Sequence, residues 1–139
     1  MKRLVFWIVV GLICAGLLYV RFAPTDAARW HPVEWSAQAA GNYPEQGRFT
    51  AVREGSAEML ARLDAAARST PRTKVIGGSV ENGQITYETR SAIVGFPDYT
   101  SVTFKDNQLQ VFGRLRFGRK DFGVNEKRVL GWLKAAGID

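Results

Sequence analysis

The chain has 139 residues, room for one domain rather than two, and its 46% hydrophobic and 23% charged residues exclude general disorder. One cysteine, Cys14, and one histidine, His31, exclude an internal disulfide and a cysteine-based zinc site. The net charge of +6 is uneven: residues 21–104 carry nine basic and nine acidic side chains, residues 105–139 eight basic and four acidic. Such a surplus suits an anionic partner, although an ordinary solvated surface has the same composition.

Residues 4–20, LVFWIVVGLICAGLLYV, hold no charge and match the short end of a helix that crosses a bilayer. Arg21 can snorkel and extend the span to Phe22 and Ala23, and Trp7 and Tyr19 stand where amphipathic rings favour the interface. A cleaved signal peptide needs small residues before the cut, and a lipoprotein signal needs one before its cysteine, where Ile13 stands. The expectation is therefore an uncleaved, single-pass anchor over residues 1–23. Lys2 and Arg3 keep the N-terminus inside, which puts the domain on the periplasmic side of an inner membrane. Arg21 and Arg29 count against that orientation and Asp26 partly offsets them.

Residues 24–47 contain Pro24, Pro32 and Pro44 and no sustained periodicity, so they read as a tether or an irregular wrap. Trp30, Trp35 and Tyr43 suggest that parts of it dock on the domain or on the membrane interface. Residues 48–53 fit a short strand. A helix then starts at the Ser56 cap, with Met59, Leu60, Leu63, Ala66 and Ala67 on one stripe and Thr70 and Pro71 at its end. Four strand-like runs follow at 73–80, 84–94, 99–105 and 108–117, joined by short turns that require antiparallel pairing. In the last run Leu109, Val111, Gly113 and Leu115 alternate with Gln110, Phe112, Arg114 and Arg116, so one face is core and the other carries the arginines. A second helix spans about 125–136. The fold class is α+β: a meander sheet of four or five strands over residues 48–139, covered on one face by two helices.

The connection GRKDFGVNEKR, residues 118–128, holds Gly118 and Gly123 for sharp turns, Asp121 to bind backbone N–H groups, and Asn125 as a cap; Arg128 can reach back to Asp121. The run Arg116, Gly118, Asp121, Gly123, Asn125, Arg128 resembles the signature R-x-G-x-x-D-x-G-x-N-x-x-R of the domain of unknown function 1499 family. The turn Gly95–Phe96–Pro97–Asp98 resembles that family's aspartate-bearing turn, and the likeness runs over roughly residues 48–136. Gly113 and Leu115 stand where the family often has serines, and Tyr99 where it tends to have a second acid. The resemblance implies the fold and a membrane or envelope setting, and no established activity.

Three function classes remain. A non-catalytic binding or accessory module would engage an anionic ligand or a membrane-protein partner through Arg114, Arg116, Arg119 and Arg128, whose paired donors suit carboxylate and phosphate. A structural subunit of a membrane complex is the second. A small hydrolase using Asp98 or Asp121 as base is the third, and it lacks the accompanying nucleophile and orienting group, so no catalytic residue is assigned. No cofactor is expected, and no nucleic acid, since no reader motif is present.

Overall fold

The computed structural model describes residues 1–138. Helix α1, Lys2–Phe22, has no buried residue and projects from the rest of the chain. Among the described residues it alone is long and apolar enough to cross a membrane, a character that anchors and signal sequences share. The one-turn helix α2, Ala27–Trp30, is capped by the Asp26 carboxylate, which accepts from the Ala28 N–H. There follow β1 (Gly41–Glu45), β2 (Arg48–Glu54), α3 (Ala57–Arg68), β3 (Thr73–Ser79), β4 (Gln84–Arg90), β5 (Pro97–Lys105), β6 (Gln108–Leu115) and α4 (Val124–Ala135).

Local chemistry explains the boundaries. Ser56 accepts from the Met59 N–H at the start of α3, and Asp64 and Arg68 pair one turn apart at 2.9 Å. Asp106 and Asn107 both take positive φ, 53° and 58°, which is the geometry of a two-residue hairpin turn between β5 and β6. Gly83 does the same at the end of the β3–β4 turn, with φ 74°.

All strands pair antiparallel in the order β1-β2-β6-β5-β4-β3. The chain leaves β2, crosses the sheet through α3 to the far edge, and returns by the meander β3 to β6, which brings β6 beside β2. The sheet thus has six strands, not the four or five expected. The additional strand is β1: Pro44 removes a donor, and the strand shows no apolar alternation because it forms an exposed edge paired only with β2. At the other edge the register of β3 shifts between Val75 and Gly77.

Helices α3 and α4 cover one face. Leu60 and Leu63 from α3 and Val129 and Leu133 from α4 meet Phe49, Tyr87, Val102 and Val111 of the sheet, all buried. Each such side chain contributes about 1.5–3 kcal/mol on burial. Tyr87 lies edge-on to Trp132 at 5.3 Å and donates to Asp64 at 2.6 Å; Trp132 donates to Thr70 at 2.8 Å. Burial, then the bond to Asp64, pushes the Tyr87 phenol far above its usual range.

Candidate functional site

The second face of the sheet is polar and buried. Strand alternation brings Thr86, Glu88 and Arg90 of β4, Tyr99 and Ser101 of β5, and Arg114 of β6 to it. In register, Glu88 stands opposite Tyr99 and Tyr99 opposite Arg114, while Thr86 stands opposite Ser101. A polar layer survives burial only when it is bonded. Here the layer bonds partly within itself and partly to residues 23–38, which lie across this face.

The wrap binds mostly through its backbone carbonyls. Pro24 accepts from Arg116 at 2.8 Å, Trp30 accepts from Arg114, Ser36 from Gln110 at 2.7 Å and Gln38 from Gln108 at 2.6 Å. The Trp30 ring stacks on Tyr99 at 4.4 Å, and Arg114 lies 6.0 Å from its centroid. His31 meets Thr86 at 3.0 Å, seated against Gly77 and Gly78, where a Cβ would come within 2.6 and 2.8 Å of its ring. The aromatic docking expected of Trp30 is on the domain.

Two buried charges stand out. Arg114 is 8% exposed, bonds Ser101 at 3.1 Å, and has no carboxylate within ion-pair distance among the described residues. Burial pushes its guanidinium down to about 10, Tyr99 raising it and Arg48 lowering it, so it stays cationic at neutral pH. Glu88 is 1% exposed and bonds Arg90 at 2.8 Å and Thr25, with Lys74 at 3.7 Å. Arg90 also donates to the carbonyls of Val20, Arg21, Ala23 and Gly95 at 3.1, 2.8, 2.7 and 3.1 Å. The last carbonyls of a helix lack internal partners and carry partial negative charge, so this guanidinium closes the end of α1 and fixes it to β4.

A second cluster orders the connection from β6 to α4. The Asp121 carboxylate accepts from the Asn125 N–H at 3.0 Å, the Asn125 side-chain amide at 2.7 Å and the Gly123 N–H at 3.1 Å. Gly123, with φ 78°, takes the cap position expected of Asn125, whose fully buried side chain packs against Gly113. Arg128 reaches Asp98 at 3.3 Å and Asn125 at 3.1 Å rather than Asp121. Burial raises the Asp98 carboxyl, against the opposing pull of Arg128. For Asp121 burial also pulls upward, but the bonds from Asn125 and Gly123 outweigh it and the net shift is downward.

The four arginines of the sequence reading therefore do not converge. Arg114 and Arg116 hold the wrap, Arg128 faces Asp98, and Arg119 is exposed. Sequence reasoning missed a groove of about 490 Å³ at the base of α1, lined by Arg21, Arg72, Lys74 and Arg90 with Glu88 as its one carboxylate. The signal for its centre was the i, i+2 spacing of Glu88 and Arg90 in QITYETR. Among the described residues no group of three or more His, Cys, Asp and Glu side chains is placed to hold a metal.

Comparison with known families matches residues 28–135 to the family described as protein of unknown function DUF1499. The chain belongs to this family. The DUF1499 match begins at residue 28, inside the wrap, so it takes in the covering segment together with the sheet. No curated protein matches. In this DUF1499 domain the signature residues Asp121, Gly123, Asn125 and Arg128 build the loop and the start of α4, and Arg116 fastens the wrap.

Proposed function

We propose that this DUF1499 protein is a membrane-anchored, non-catalytic accessory module that holds an anionic group in the groove at the base of α1. The observation that carries this reading is the groove itself: Arg21, Arg72, Lys74 and Arg90 line it, and its one carboxylate, Glu88, is shared between Arg90 and Lys74. Guanidinium and ammonium groups left in excess beside a cavity attract phosphate or carboxylate. Arg119, exposed on the connection to α4, lies against the β1–β2 turn and is not part of the groove. Lys2 and Arg3 ahead of the apolar helix favour an inner-membrane protein with its N-terminus inside and its domain in the periplasm.

A hydrolytic role is disfavoured by how the two aspartates are used. Asp98 faces Arg128, and Asp121 caps α4. Neither is free to act as a general base.

The test is titration of the detergent-solubilised full chain with inorganic phosphate and with a short-chain phosphatidylglycerol, read by calorimetry. Binding that is lost in Arg72→Glu/Lys74→Glu supports the reading. Absence of binding by both probes, or binding indifferent to that pair, overturns it. A reporter fused to the C-terminus tests orientation, with activity expected only outside the cytoplasm.

A further inference from the structure

Two connections meet at the end of the domain where α1 joins it: residues 91–96, between β4 and β5, and residues 116–123, between β6 and α4. Their proximity follows from the sheet, since Asp98 stands opposite Leu115 and Arg128 bridges from α4 to Asp98. Both touch the end of α1. Arg21 donates to the Ile93 carbonyl at 2.9 Å, and the Tyr19 ring lies edge-on to Phe117 at 6.4 Å.

These connections carry apolar side chains that the core does not use. Ile93 is 88% exposed, Phe96 42% and Phe122 92%, and Val124 at the start of α4 is 47% exposed. Among the described residues, every exposed large hydrophobic after α1 belongs to this set. Single exposed apolar residues are common, but four confined to one end, beside an apolar helix, form a patch that marks an interaction surface. Phe122 takes φ 53°, a left-handed conformation unusual for an aromatic residue; the turn holds its ring out into solvent instead of folding it onto the core.

The charges at this end complement the pattern. Arg119 and Lys120 precede Phe122 on the same connection, and Arg72 and Lys74 line the groove beside residues 91–95. Of the acids at this end, Asp98 faces Arg128 and Asp121 is bonded by Asn125, which leaves Glu45, at the turn into β2, as an exposed carboxylate among them. Aromatic and aliphatic tips between basic side chains suit the bilayer interface, where rings settle at headgroup depth and cations meet lipid phosphates.

We infer that this end of the domain docks on an anionic phospholipid bilayer, with Ile93, Phe96 and Phe122 immersed at headgroup depth and Arg72, Arg119 and Lys120 on lipid phosphates. The domain then lies on the membrane rather than standing off it on a loose linker. The inference rests on reading α1 as a membrane anchor.

The experiment uses the full chain in a Cys14→Ser background, with single cysteines from Ile93→Cys, Phe122→Cys and, at the opposite end of the sheet, Glu81→Cys. Each is labelled with a polarity-sensitive fluorophore and reconstituted into vesicles of phosphatidylglycerol and phosphatidylcholine. Probes at 93 and 122 should shift to the blue and be quenched by shallow doxyl-labelled lipid, while the probe at 81 stays water-like. Water-like probes at 93 and 122, on protein that still sediments with the vesicles after alkaline washing, overturn the docking and leave the anchor intact. Release of the protein by that wash overturns the anchor. Immersion as deep in phosphatidylcholine alone overturns the assignment of Arg119 and Lys120 to anionic headgroups. Circular dichroism confirms that each variant is folded, as expected for substitutions at exposed positions.

Discussion

Asp121 shows how one carboxylate can order a whole connection. It accepts three hydrogen bonds at the start of α4, where backbone N–H groups lack helical partners. Asp121→Ala should therefore lower stability by about 1 kcal/mol, whereas Arg119→Ala, at an exposed position, should change it by less than about 0.5 kcal/mol in denaturant melts. The sign of the pH effect follows from the downward shift of Asp121 below 3.8. Its contribution is complete above 3.8 and is lost as pH falls through the lower folded value, so Asp121→Asn should flatten the acid limb of the stability curve below that point. Asp98, shifted upward, acts oppositely above 3.8, where the folded state holds its proton more tightly than the unfolded chain.

At the scale of elements, the seat of His31 on β3 is a close backbone approach. A Cβ on Gly77 would sit 2.6 Å from the His31 ring, so Gly77→Ala should push the ring away and loosen the wrap at a cost of about 1–3 kcal/mol. Faster hydrogen exchange or proteolysis within residues 24–38, with α3 and α4 unaffected, is the expected readout. The same element shows what the sequence makes legible. Alternation is local, so the two faces of β6, the capped start of α3 and the meander from β3 to β6 could all be read directly. The wrap could not be read this way, because its contacts run through carbonyls of Pro24, Trp30, Ser36 and Gln38, and every residue type supplies a carbonyl. For the same reason Arg114 and Arg116 showed in the sequence as surface charges, and the segment that covers them did not. Strand β1 was hidden by Pro44 and by having only one neighbour.

For the whole molecule the decisive residue is Arg90, which joins α1, the loop before β5 and the buried Glu88. Arg90→Met leaves that carboxylate without its closest cationic partner, and unfolding of the full chain in detergent should show a loss of about 3 kcal/mol. Arg90→Lys restores a charge but not the planar fork that spans several carbonyls, so an intermediate loss is expected. The outer margins of the sheet bear on how copies coexist. Pro44 on one margin and the register shift before Gly77 on the other, with Lys74 beside it, interrupt the regular row of donors and acceptors that a foreign strand would copy. Molecules crowded side by side should thus find an irregular template for a shared ribbon, and slower fibre formation than from an unbroken border is the expected consequence.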